Sequence, residues 1–155
     1  MDLFELNEAF AAQACAVNKE LGIDPELLKL FLSEIERPDG MILNTGPTGS
    51  GKTTTLYAAV AELDRAKLNV VSVEDPIEYA LDRVAQTQVN PRIELTFARA
   101  LRSILRHDPD VIFIGEMRDS DTIRSAISAA ATGHLVVSTL HANTASEVVN
   151  RIVSF

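Results

Sequence analysis

The sequence predicts an α/β fold built on a mainly parallel sheet with helices on both faces. Three observations carry that prediction. From about residue 41 onward, short apolar runs alternate with stretches of helical period. Two of those runs, Val111–Ile114 and Leu135–Leu140, read as strands buried on both faces rather than on one. The first run leads straight into a glycine-rich turn that opens a helix. A chain of 155 residues suits a single domain. With 46% hydrophobic and 23% charged residues, its composition excludes collagen-like, low-complexity and wholly disordered classes.

Taken in order, Asp2-Leu3-Phe4-Glu5 reads as a capping box. Behind it Leu6, Phe10, Ala14, Val17 and Leu21 recur on one helical face, and Gly22 supplies a stop, so residues 1–24 are expected to hold an N-terminal amphipathic helix. Asp24-Pro25 reads as N-cap and first-turn proline of a second helix with Leu27, Leu28, Phe31, Leu32 and Ile35 apolar, ended by Pro38, Asp39 and Gly40. Residues 41–45 follow as a strand, 52–63 as a helix and 69–73 as a β-branched strand. Residues 83–89 alternate weakly and suit either a short edge strand or an extended loop. Residues 97–106 have helical period, 111–114 form a strand, 122–131 an alanine-rich helix, 135–140 a strand, and 145–155 begin a last helix.

The net charge of −8 excludes a sequence-independent nucleic-acid binder, which needs a basic footprint, so no direct nucleic-acid contact is expected. The charge is uneven: residues 1–40 carry a net −6 and the remainder a net −2. No run approaches the ~20 apolar residues of a membrane span, and no secretory signal pattern opens the chain. The single cysteine, Cys15, makes neither an internal disulfide nor a thiolate metal cage, which points to a reduced, cytoplasmic compartment.

The segment Gly46-Pro47-Thr48-Gly49-Ser50-Gly51-Lys52-Thr53 completes the pattern G-x-x-x-x-G-K-[ST] directly between a strand and a helix. Glycines at these positions let backbone N–H groups turn inward as an anion nest, and the helix N-terminus adds partial positive charge. The candidate nucleotide-binding residues are therefore Gly46, Thr48, Gly49, Ser50, Gly51, Lys52, Thr53 and Thr54. Lys52 is expected at the β- and γ-phosphates and the Thr53 hydroxyl on Mg²⁺.

Hydrolysis further needs a metal-side carboxylate and a group that positions water. Val111-Ile112-Phe113-Ile114-Gly115-Glu116 has the form of a Walker B strand, with Gly115 where an aspartate usually stands and Glu116 left as the carboxylate for Mg²⁺. Asp110 lies at the strand's other end. A second acidic cluster, Glu74-Asp75-Pro76-Ile77-Glu78, follows the strand at 69–73. In a parallel sheet the C-terminal strand ends share one edge, so Glu74, Glu78 and Glu116 are expected to converge on the γ-phosphate. His134 and His141 flank the strand at 135–140. His141, on the edge with the acids, is the candidate γ-phosphate sensor, and His134 suits a structural or a catalytic role equally. Two histidines without cysteines or suitably spaced carboxylates do not make a zinc site.

These motifs carry a family resemblance. From Leu27 to Phe155 the chain resembles the ATPase core of type II secretion and type IV pilus assembly motors. Thr54-Thr55-Leu56-Tyr57 extends its Walker A, Glu74-Asp75-Pro76-Ile77-Glu78-Tyr79 is similar to its Asp box, and Gly115-Glu116-Met117-Arg118-Asp119 to its atypical Walker B. Thr132-Gly133-His134 through Ser138-Thr139-Leu140-His141 resembles its His box. Gln86-Thr87-Gln88-Val89-Asn90 leans toward secretion and assembly members over retraction motors. The resemblance implies a RecA-like P-loop NTPase core in residues 25–155, preceded by two N-terminal helices and truncated before the family's C-terminal helices. It also implies ATP, Mg²⁺, a homohexamer and a place at the cytoplasmic face of an inner-membrane secretion or pilus platform. In that family the Asp-box acids polarise water, the Walker B Glu serves the metal, and the histidines sense or stabilise phosphate.

Residues 2–24 depart from that family and resemble the Asn-Glu-Ala-Phe helix of thiolases. Thiolase chemistry needs a nucleophilic Cys and an activating His on other segments, so this stretch is expected to be non-catalytic, with Cys15 a small buried hydrophobe. Three functional readings remain at the level of sequence: an Mg²⁺-dependent ATPase core, a nucleotide-binding but hydrolysis-deficient chain, and a non-catalytic chimeric or designed scaffold.

Overall fold

The computed structural model describes residues 25–142 and 145–154. The helix expected within residues 1–24, Cys15 included, falls outside them. Five strands, β1 (Gly40–Thr45), β2 (Val70–Glu74), β3 (Val84–Gln88), β4 (Val111–Ile114) and β5 (Leu135–Leu140), form one sheet in the order β1-β5-β4-β2-β3. Every pairing is parallel. The helices are α1 (Pro25–Ile35), α2 (Lys52–Glu62), α3 (Phe97–Ile104), α4 (Ser120–Ala131) and α5 (Ala145–Val153).

The continuous apolar strands arise because both sheet faces are covered, so successive side chains, though they point opposite ways, all need to be apolar. On one face Met41, Leu43, Val71, Ile112, Ile114 and Val136 pack with Leu101 and Ile104 of α3, Ile123 and Ala126 of α4, and Val148 of α5. On the other, Ile42, Val70, Val111, Phe113 and Val137 pack with Ile35 of α1 and Leu56, Tyr57 and Val60 of α2. The segment left open between strand and loop is the edge strand β3: it pairs with β2 and is partly exposed along its length.

Two helix boundaries differ from the sequence expectation, each for a local reason. The α-helix α3 stops at Ile104 and tightens into a 3₁₀ turn over Leu105–His107, after which Asp108 adopts a left-handed conformation ahead of Pro109; a residue before proline is disfavoured in the right-handed helical region. Helix α4 starts at Ser120 rather than 122, because the Asp119 carboxylate accepts the Thr122 N–H at 2.8 Å and caps it. No helix among the described residues is long and apolar enough to cross a membrane.

Candidate functional site

In a parallel sheet the C-terminal strand ends lie on one side, and here the register carries Thr45 beside Leu140, Ser138 beside Ile114, and Ile114 beside Val73. The loops leaving β1, β2, β4 and β5 therefore open onto a common cleft of about 410 Å³. Thr48, Gly49, Gly51, Lys52, Thr53 and Thr54 line one wall; Glu74, Glu78, Glu116 and His141 line the rest, with Arg118 and Thr139.

The wall facing the cleft is a bare helix end. Gly51 is the N-cap of α2, at φ +84° and without a side-chain hydrogen bond to the turn it precedes. The first bond of the turn is Thr55 N–H to Gly51 C=O at 2.9 Å, so the amides of Lys52, Thr53 and Thr54 precede any intrahelical partner. Unpartnered amides at a helix N-terminus have the chemistry that suits an anion. Two of the candidate binding residues serve the loop itself instead of lining the cleft. Ser50 donates its hydroxyl to Pro47 C=O at 2.8 Å. Gly46, at φ +150°, holds a backbone conformation that side chains disfavour, and a Cβ there would also displace the Ser50 hydroxyl, 2.7 Å away, from its bond to Pro47. Lys52 Nζ donates to the carbonyls of Gly46 and Pro47 at 2.8 and 2.7 Å. Burial holds its pKa below the ordinary lysine value, an effect partly opposed by the Glu116 charge.

Glu116 is the carboxylate facing this wall. Its side chain is 13% exposed and pairs with Arg118, while His141 Nε2 stands 3.8 Å from its other oxygen. The loop bearing it is fixed from β2 and β5: Gly115 N–H donates to Val73 C=O at 2.8 Å, Thr139 Oγ1 to Gly115 C=O at 2.8 Å, and Met117 N–H to Thr139 C=O at 3.0 Å. Among the described residues no group of three or more His, Cys, Asp or Glu side chains clusters as a metal cage. Glu116 with the Thr53 hydroxyl is instead the sparse donor set that suits Mg²⁺, which is commonly held by one or two protein groups plus substrate phosphates.

Glu74 and Glu78 reach the cleft in different ways. Glu74 is 2% exposed and turns toward α2, on the same face as Ser72 two residues earlier. Its carboxylate accepts hydrogen bonds from Tyr57 Oη, from Ser72 Oγ and, at 3.0 Å, from Gln86 Nε2. Glu78 lies in the following loop, its N–H donating to Tyr57 Oη at 3.1 Å.

His134 does not join this gathering within the chain. It precedes β5 and so lies at the opposite edge of the sheet, roughly 20 Å away for a strand of this length. There Gly40 N–H donates to its carbonyl at 3.2 Å, and its Nδ1 lies 3.0 Å from Ala129 C=O at the end of α4.

Comparison with known proteins follows the same arrangement. Residues 10–155 match the family described as type II/IV secretion system protein. The chain belongs to that family. Among its relatives, "Type II secretion system ATPase E" of Vibrio cholerae serotype O1 is 59% identical over 122 residues, covering 79% of this chain and 24% of that protein. "Type II secretion system protein E" of Klebsiella pneumoniae is 54% identical over 132 residues, 85% of this chain and 27% of the relative. The pilus retraction motor PilT, solved with bound ADP, superposes with a TM-score of 0.74 at 44% identity, covering 88% of this chain and 40% of PilT. The VirB11 ATPase of the Brucella suis type IV secretion system, solved with sulphate, gives 0.68 at 27% identity over 90% of this chain and 40% of its own. The chain thus spans about a quarter of the length of its type II secretion relatives.

In this secretion-family chain, several residues that shape the site escaped the sequence reading. Asn44 is buried and donates Nδ2 to Lys52 C=O at 3.1 Å. A polar residue inside an apolar strand is a signal that was available. Thr139 and Tyr57 stand inside motifs, but their roles depend on partners from other elements. Arg118 was visible only as part of a motif.

Proposed function

We propose that the chain binds ATP with Mg²⁺ in this cleft and hydrolyses it, as part of the motor core of a type II secretion or type IV pilus assembly ATPase. The observation that carries the reading is the bare N-terminus of α2, with Lys52 beside it, facing Glu116 across one cleft. Thr48, Gly49, Gly51, Lys52 and Thr54 take the phosphates, with Gly46 and Ser50 shaping the loop. Bound Mg²⁺, held by Thr53 and Glu116, would neutralise charge on the β- and γ-phosphate oxygens. Lys52 exchanges its two loop carbonyls for phosphate oxygens, which its partial desolvation makes easier. Glu78 and Glu74 orient and polarise the attacking water, and His141 monitors the γ-phosphate next to Glu116.

Identity with the type II secretion relatives, higher than with PilT, favours a secretion member. In that setting the chain works in the cytoplasm, in a homohexamer against an inner-membrane platform. Titration with a fluorescent ATP analogue and steady-state phosphate release test the reading. Lys52→Ala is expected to abolish Mg-ATP binding. Glu116→Gln is expected to keep binding and lose turnover by on the order of a hundredfold. Turnover that survives in Lys52→Ala defeats the proposal; tight binding without wild-type turnover leaves only its nucleotide-binding half.

A further inference from the structure

Glu74, at the end of β2, is buried and fully engaged. Three donors from three elements converge on its two oxygens: Tyr57 of α2 on Oε2, and Ser72 of β2 with Gln86 of β3 on Oε1. The same Tyr57 oxygen accepts the Glu78 N–H at 3.1 Å. Tyr57 sits one and a half turns into the helix whose first residue is Lys52. Its hydroxyl therefore joins that helix to Glu74, the last residue of β2, and to Glu78 in the loop that follows. Gln86 closes the other side. Its Nε2 also donates to Tyr79 C=O at 3.2 Å, and its Oε1 accepts the Leu81 N–H at 2.7 Å, while the neighbouring Gln88 Oε1 accepts from Ile77 N–H at 3.4 Å. The acidic loop is thus stitched to α2 at one end and to the edge strand β3 at the other.

From this geometry we infer that Tyr57 is a positioning residue for the hydrolytic step: its hydroxyl fixes Glu74 and Glu78 relative to the P-loop helix, and Gln86 anchors the far end of their loop. The inference rests on the ATP-hydrolysing reading of the same cleft and assigns Tyr57 no contact with nucleotide. Tyr57 keeps this role by packing as well as bonding. The ring is 1% exposed, with Phe113 edge-on at 5.5 Å and Tyr79 tilted over it at 4.3 Å between centroids. The hydroxyl stays protonated over the working pH range, since burial foremost, and then the hydrogen bond to Glu74, pushes its pKa up to about 12. It can therefore donate to the carboxylate and accept the amide at once.

Tyr57→Phe removes the hydroxyl and keeps the ring. In the nucleotide-free protein, hydrogen exchange resolved by residue is expected to show the Glu78 amide exchanging at least about tenfold faster in the variant, with the amides of β4 unchanged. In single-turnover hydrolysis at saturating Mg-ATP, the rate is expected to fall on the order of ten- to a hundredfold while nucleotide Kd stays within about twofold, because positioning errors act on the chemical step. Gln86→Leu is expected to reproduce the loss of rate with Kd held. Equal Glu78 exchange in wild type and Tyr57→Phe overturns the inference, as does a rate loss matched by an equal loss of affinity. A wild-type chain that binds but does not turn over ATP refutes the hydrolytic reading instead, and the exchange comparison still decides the role of Tyr57.

Discussion

Asn44 interrupts the apolar strand β1 and yet is 2% exposed, its amide spent on the carbonyl of Lys52. Truncating it to Ala removes this buried bond and opens a cavity, so Asn44→Ala is expected to cost about 1–3 kcal/mol in urea unfolding. Because the bond reaches the residue that opens α2, the loss should also appear as weaker nucleotide binding, read by the same titration. The residue scale is also where sequence and structure part most. Glu116 and His141 were placed by strand direction alone, since both follow apolar strands whose ends share an edge. Glu74 was placed at the right edge with its orientation open. Its inward turn depends on Tyr57 and Gln86, which lie 17 and 12 residues away on other elements. His134 illustrates the converse: it precedes β5, and a parallel sheet assigns that position to the far edge.

At the scale of elements, helix ends decide more than helix middles. Helix α4 is set by Asp119, whose two oxygens take the N–H and the hydroxyl of Thr122 at 2.8 Å each. Asp119→Ala is expected to lower stability by roughly 1 kcal/mol, measured as a shift in urea midpoint at unchanged slope. Helix α2 is the opposite case, ending in a glycine that offers no cap. The missing cap is what makes this end useful, because supplying one from within would fill the place of an anion. Such boundaries were legible to within a turn: the strands β4 and β5 matched residue for residue, whereas α4 was read two residues short because Asp119 was grouped with the motif before it. Residues 83–89 resisted reading since an edge strand keeps a half-exposed pattern, which a loop imitates.

The pH response belongs to the whole molecule. An unfolded tyrosine loses its proton near its ordinary value of 10, while Tyr57 in the folded protein holds its proton to about 12. Between those values the native state binds more protons than the unfolded one, so stability is complete below about pH 10 and declines as pH rises toward 12. Tyr79, raised by burial and by Glu74, acts in the same direction. Urea midpoints compared at about pH 8 and about pH 11 are expected to fall more in the wild type than in Tyr57→Phe. An equal fall in both would place the alkaline sensitivity elsewhere.

The sheet order carries a kinetic consequence. Strand β1, which bears the phosphate loop, has β5 as its neighbour, and Gly40 meets Leu135 across that pairing. The chain must close most of the described sequence into a ring before the glycine-rich loop is held in place. Parallel pairing at such separation is slow to form, because chain entropy is lost before the contacts that repay it exist. Nucleotide capture during refolding should therefore emerge with the last phase of the reaction, not the first. A chain that grips nucleotide has, by that fact, finished folding.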